Sequence, residues 1–397
     1  MTQPTPSGWR YGLVQLLRNL PLPLVLLVSS NGCLDQVASH VPLPGCESGR
    51  LITADSAALC LFAQQTITAT DRDSARRVFA RAARTRDSLS AQSGPTDFGN
   101  AAYLTRALAI IGEFYSRGLL DDSARFHRMT DHVSVTLEQV DGTLPYVNGH
   151  GFPITTPYLA WKLYTNVGVF FQPVETSQLV EFVLPRQSAP TDSVVQISEH
   201  LYRYALWRTH RGQRYPVWEY EFPWSSGGVS VTAPWLSGMA QSTILMVFAD
   251  SYRRTGDNEW RQRAFEVFRS LYVPWDEGGV LLPDTLHGYW WEEYHPIVQV
   301  WNGAAQALLG VGYFYSVTND PEVKRVYDRG IEAMKYYTPL FDTGQWTLYS
   351  RTQGLNTVYY HNVCIQLMDA LYSQSGDAWF KQVADRWRSY TPPPGIP

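Results

Sequence analysis

Over most of this chain the hydrophobic positions recur at helical intervals. Leu104, Leu108, Ile111 and Tyr115 share one face of a helical period; Trp260, Ala264, Val267 and Leu271 share another; Val323, Tyr327, Gly330, Met334 and Tyr337 mark a third. Apolar spacings of three and four residues gather side chains on one stripe and predict amphipathic helices packed through it. The run Trp301 to Phe314 is apolar nearly all round, which predicts a helix enclosed by others. Phe380, Val383 and Trp387 close the series. Strand signals are sparse: Gly168 to Pro173, Gln178 to Leu184 and Val229 to Thr232 are the candidates.

Helix punctuation also repeats. Tyr252 to Asp257 (YRRTGD), Tyr315 to Asp320 (YSVTND) and Tyr372 to Asp377 (YSQSGD) each end an apolar helix on Tyr and finish on Asp. The Gly or Asn before each Asp suits the left-handed residue that closes a helix, and the Asp suits the N-cap of the next. Pro321 then occupies the favoured first helical position. The motif returns about every 60 residues, enough for two helices and one long connection. Because every short turn lies at one end of its hairpin, the long connections must collect at the other. They are Thr209 to Trp235, Val273 to His295 and Thr338 to His361, all rich in aromatic residues. An earlier turn, Ser116 to Asp122, sends the connection Asp141 to Tyr158, with Tyr146, His150 and Tyr158, to the same end. The expected fold class is mainly α: an α/α toroid, an incomplete or closed ring of helical hairpins, with long aromatic loops at one end and few short strands.

The first 33 residues have the layout of a targeting segment. Arg10 and Arg18 precede the apolar run Leu20 to Val28, which is too short to span a bilayer, and Ser29-Ser30-Asn31-Gly32-Cys33 follows. A small residue before cysteine resembles a bacterial lipoprotein cleavage site. The expectation is export to the periplasm or cell surface, with membrane attachment through a lipidated Cys33. Cys46 and Cys60 are then left as a disulfide pair, and Cys364 falls in a helical pattern that buries it. The expected layout is a linker over 34–70 with at most one short helix, N-terminal helical hairpins over 71–200, and a C-terminal helical domain over 201–392.

Composition narrows the function. Hydrophobic residues make up 45% of the 397, which excludes a disordered chain. The 14 Trp and 24 Tyr, with charged residues at 17%, suit carbohydrate handling and equally suit helical cores. A net charge of −4 without a Lys/Arg block argues against a nucleic-acid partner. The histidines and cysteines show no His-x-x-x-His or Cys-x-x-Cys pair, and no phosphate-cradling glycine loop or nucleophile-elbow serine occurs, so neither metal nor cofactor is expected.

Two of the long connections carry candidate chemistry. One ends in Tyr289-Trp290-Trp291-Glu292-Glu293-Tyr294-His295. Apolar walls and a like-charged neighbour both raise a carboxyl pKa, which suits a group that moves protons near neutrality. The competing account is that the two glutamates only complement a helix N-terminus. The other connection holds Tyr349, Arg351, Tyr360 and His361. A phenol acts as a base only when a neighbouring cation lowers its pKa, and Arg351 and His361 are the local cations. The competing account for each tyrosine is packing with a hydrogen-bonded hydroxyl.

With these residues in view, the C-terminal half resembles the C-terminal domain of the D-glucuronyl C5-epimerases. The resemblance rests on Pro234-Trp235-Leu236-Ser237-Gly238-Met239-Ala240-Gln241, Glu292-Glu293-Tyr294, Trp301-Asn302-Gly303, Tyr327 to Gly330, Pro339 to Gly344 and Arg386-Trp387-Arg388-Ser389-Tyr390. It runs from about Tyr202 to Tyr390. The family's β-rich region and its Tyr-Pro motif have no counterpart upstream; Asn148 to Pro153 is at best a distant substitute. The loop before Asn302 is two residues shorter than in that family, and Thr357 and Val358 stand where a basic residue is usual. The resemblance implies inversion at C5 of a hexuronate within a polysaccharide, of the glucuronate-to-iduronate kind, by proton removal and return on the opposite face. It implies catalytic roles for Glu293, Tyr294, Tyr349 and Tyr360. Substrate contacts are expected from Trp291, Glu292, Arg351, His361, Tyr220 and Trp235. The alternatives are a polysaccharide lyase or hydrolase on the same fold, the hydrolase pairing Glu219 or Glu221 with Glu293, or a glycan-binding protein without catalysis.

Overall fold

The computed structural model describes residues 45–47, 49–92, 94–144, 154–155, 159–164, 167–179, 191–226, 228–284 and 286–396. The targeting segment with Cys33, the residues Tyr146, His150 and Tyr158, the stretch Asn148 to Pro153, and most of the strand candidate after Gln178 lie outside them.

Helix α1 (Ala54–Ala63) begins the described fold and is tied to the preceding segment by a Cys46–Cys60 disulfide. It packs on α2 (Ala69–Ser90) and α3 (Pro95–Ser116), and α4 (Ser123–Val140) closes this group against both. Thr68 and Asp71 form a reciprocal capping box at the start of α2, and Asp122 caps α4 through the Ala124 amide at 2.8 Å. Ala57, Ala58 and Leu61, from the stretch expected as linker, are buried with Leu104, Ile111 and Phe114, so this part belongs to the core.

Three short antiparallel strands follow: β1 (Ile154–Thr155), β2 (Leu159–Tyr164) and β3 (Gly168–Phe171), the last packed on α4. After α5 (Pro173–Gln178) and α6 (Thr191–Arg203) come the hairpins β4–β5 (Leu206–His210, Gln213–Val217) and β6–β7 (Trp224–Ser226, Val229–Val231). Strands β3 and β7 sit where alternation marked them. The β4–β5 hairpin carried no such signal, because its turn is set by Arg211 and Gly212, both at positive φ (49° and 76°). A further hairpin, β8 (Leu281–Asp284) and β9 (Gly288–Trp291), is likewise an addition to the expected helices.

The remaining helices form three hairpins: α7 (Gly238–Thr255) with α8 (Asn258–Ser270), α9 (Trp301–Thr318) with α10 (Pro321–Tyr337), and α11 (Val358–Ser375) with α12 (Ala378–Arg388). Helix α9 packs against both α7 and α11, while α8, α10 and α12 each cover their own hairpin partner. The result is an inner row and an outer row, an arc of an α/α toroid, extended beyond α7 by α5 and α6. The three turns are built alike. The amides of Gly256, Asn319 and Gly376, at φ 70°, 48° and 72°, each donate to the carbonyl of Tyr252, Tyr315 or Tyr372 at 2.8 Å. The next carboxylates, Asp257, Asp320 and Asp377, each accept the amide two residues on at 2.9 Å. A cap of this kind contributes about 1 kcal/mol.

Candidate functional site

At the end away from these turns the long connections bind one another through backbone. The Gly238 amide donates to the Glu292 carbonyl at 2.7 Å, the Trp301 amide to Tyr349 at 3.3 Å, and the Arg351 amide to Val298 at 2.8 Å. Tyr220 and Trp235 exchange two backbone bonds and stack their rings 4.1 Å apart. The Trp235 ring meets Tyr294 at 6.1 Å, and the Tyr294 hydroxyl accepts from Gln353 Nε2 at 3.0 Å. Tyr349 and Tyr360 stand edge to face at 5.1 Å. Residues distant in sequence are therefore brought together at this end.

Glu292 and Glu293 hang from the end of β9. The Trp291 indole anchors them: it is buried, donates to the Leu271 carbonyl at 3.0 Å and packs against Gly330. Glu292 is also buried; its Oε1 accepts the amides of Glu293 (2.9 Å) and Val300 (3.4 Å), and its Oε2 has no hydrogen-bond partner. Burial, reinforced by the Glu293 charge, raises its pKa to about 8. Glu293 is only partly covered, yet its Oε2 is sealed without a partner against the first turn of α9. A Cβ at Gly303 would come within 2.8 Å of that oxygen, so the glycine makes room for the carboxyl. Desolvation raises the Glu293 pKa to about 7. Near neutral pH Glu292 is mostly protonated, and Glu293 is divided between acid and base.

The phenols respond in the opposite sense to a base. Burial, and then the Glu293 charge, raise the pKa of Tyr349 and Tyr360, so both are proton donors at neutral pH. The cations expected to lower them do not. Arg351 is exposed and lies in electrostatic range of Tyr337. His361 is buried against Trp346 at 3.6 Å, with Nδ1 on the Thr347 hydroxyl (2.8 Å) and Nε2 on the Trp387 carbonyl (3.1 Å). Both its nitrogens are committed and desolvation lowers its pKa, so His361 is a neutral structural residue, not a substrate contact. Trp291 and Glu292, for the same reason of burial, organise the loop from behind. Tyr220, Tyr349 and Tyr360 lie in electrostatic range of Glu293, and the Trp235 ring joins Tyr220 to Tyr294.

Glu219 and Glu221 point away from the cleft and into charge pairs. Arg125 (3.1 Å) and Arg208 hold Glu219, while Arg128 (3.0 Å) and His132 hold Glu221, with both carboxylates fully covered. They do not form a hydrolytic pair with Glu293. Two cleft residues escaped the sequence reading: Tyr164 from β2 and Gln172 after β3. Their only sequence signal is a short strand pair without charged termini. Among the described residues no cluster of His, Cys, Asp and Glu could hold a metal ion.

Residues 211–389 match the family model described as the D-glucuronyl C5-epimerase C-terminus. The resemblance to that family is therefore real over this stretch, which contains Glu293, Tyr294, Tyr349 and Tyr360. An uncharacterized protein of Methanocaldococcus jannaschii is 26% identical over 178 residues, 43% of this chain and 57% of that protein. The D-glucuronyl C5-epimerase of Caenorhabditis elegans is 27% identical over 177 residues, 39% of this chain and 29% of that enzyme. The chain thus spans well under two thirds of either relative. A family 76 glycoside hydrolase from Bacteroides thetaiotaomicron superposes with a TM-score of 0.38 at 13% identity, over 67% of this chain and 55% of that one; likeness at this level carries no functional argument.

Proposed function

We propose that the protein is a carbohydrate-active enzyme that inverts C5 of a hexuronate within a polysaccharide. What supports the reading is the placement of the Glu293 carboxyl, whose Oε2 is buried against the start of α9, within electrostatic range of Tyr349 and Tyr360. The match of residues 211–389 to the epimerase C-terminus supports the same assignment.

Inversion needs a base on one face of the sugar and an acid on the other. Glu293 takes the C5 proton, and the electron pair left on C5 spreads into the adjacent uronate carboxylate. Tyr349, held as a donor, hydrogen-bonds that growing charge. Tyr360 returns a proton from the opposite face, and Tyr294 flanks the site. The bond to the neighbouring sugar is never broken. Arg351, exposed at the rim, supplies positive charge for the anionic chain, and Trp235 with Tyr220 offers a stacked aromatic wall.

The test is incubation with heparosan, an unsulfated glucuronate polymer, in heavy water. Deuterium at C5 with unchanged chain length is the expected result. Ultraviolet absorbance from unsaturated ends would replace this reading with a lyase, and new reducing ends with a hydrolase. Binding without any of these would leave a glycan-binding protein.

A further inference from the structure

The stretch matched to the epimerase family begins at residue 211, but one wall of the cleft comes from upstream. Gln172, buried after β3, places its amide between two phenols. Its Oε1 accepts from the Tyr220 hydroxyl at 2.7 Å and from the Val174 amide at 3.1 Å; its Nε2 donates to the Tyr164 hydroxyl at 2.8 Å. An amide cannot exchange these roles, because the Val174 amide and the Tyr220 hydroxyl fix its oxygen on one side. Tyr220 therefore spends its proton on Gln172, whereas Tyr164 accepts from Gln172 and keeps its own O–H to give away. That phenol is largely covered, with its ring on Phe222 at 4.2 Å, and Glu293 lies in electrostatic range of it. Glu175, the other described carboxylate in such range, pairs its Oε1 with Lys162, while its Oε2 is buried and makes no hydrogen bond to Tyr164 or to any other described residue.

We propose that Tyr164 is a hydrogen-bond donor to the anionic sugar in the Glu293 cleft, with Gln172 as the positioning residue that fixes its donor role. The inference rests on the uronate reading above and assigns to the upstream segment a share in substrate recognition. Among the described residues the Tyr164 O–H meets no acceptor, so a uronate oxygen can take that place, and the surrounding low-polarity walls make the bond count for more than in water. The same relay keeps Tyr220 from competing for the ligand, which leaves its ring free for the stack with Trp235.

The experiment measures heparosan affinity by calorimetry, together with C5 deuterium exchange, for the wild-type chain, Tyr164→Phe, Gln172→Glu and the double variant. Tyr164→Phe keeps the ring and should weaken binding about 10-fold, the scale of one hydrogen bond to a charged group. Gln172→Glu, when ionised, draws the Tyr164 proton back and should weaken binding similarly. When protonated it restores the donor–acceptor pattern, so its deficit relative to wild type should narrow as pH falls, while that of Tyr164→Phe should not. The double variant should be no worse than the weaker single one. Wild-type affinity in Tyr164→Phe overturns the proposal, as does a pH-independent deficit in Gln172→Glu. Absence of exchange in a wild-type chain that binds would sink the epimerase reading alone, since the affinities still test Tyr164. A wild-type chain that neither binds nor exchanges overturns both.

Discussion

Replacing Glu292 with glutamine should change how stability depends on pH more than it changes stability itself. The side chain is buried, and its Oε1 serves the amides of Glu293 and Val300, a role a glutamine oxygen can keep. What glutamine cannot do is ionise. Burial moves this carboxyl from 4.5 to about 8, so the fold binds its proton more tightly than the unfolded chain does. Stability from this group is complete below about pH 4.5, declines as pH rises, and is gone above about pH 8. At about 1.4 kcal/mol per pH unit the full loss is roughly 5 kcal/mol. Urea unfolding of both proteins at pH 5 and pH 9 gives the difference directly. Wild type should lose about 4 kcal/mol more than Glu292→Gln over that interval, since pH 5 already lies above the unfolded value and the rest of the fall comes before pH 9. Parallel pH–stability curves would refute the claim that Glu292 is held as an acid inside the loop.

Other consequences are as direct. Tyr360→Phe should cut C5 exchange by about 10²-fold or more with little change in melting temperature, since the ring is 37% exposed; near-normal exchange removes it as the proton donor. Gly303→Ala should push the Glu293 carboxyl out of place, because the new methyl falls 2.8 Å from Oε2, and exchange should drop about 10²-fold with the helix retained by circular dichroism. His361→Ala should lower the melting temperature while leaving heparosan affinity within about two-fold; a selective loss of affinity would return it to the binding site. Wild-type exchange should fall below about pH 7 as Glu293 takes up its proton, a dependence that Glu293→Gln abolishes along with the activity.

The hairpins were legible because their signals are local. Gly256, Asn319 and Gly376 with the following aspartates declare both helix ends within six residues, and the apolar circumference of Trp301 to Phe314 declares an enclosed helix. From the turns alone the opposite end could be located as the place where loops meet. The loops' internal structure was not legible, since it depends on contacts between distant segments. Nothing near His361 announces that Thr347 and Trp387 will occupy both its nitrogens, and Trp291 looks like a cleft aromatic until Gly330 receives it. Glu219 and Glu221 were ambiguous for the same reason: Arg125, Arg128 and His132 lie on α4, far upstream, and only Arg208 comes from the neighbouring β4. The direction of the tyrosine pKa values also turned on burial, which no spacing of residues conveys.

The pairing of Glu219 and Glu221 with Arg125, Arg128, His132 and Arg208 bears on where this chain can be cut. The match to the family model starts at residue 211, after every one of those cations. A fragment trimmed to that border would lose all four counter-charges together with the elements that cover the two carboxylates. The border drawn by resemblance is thus not a border for folding, and the half that resembles other proteins leans on the half before it to stand.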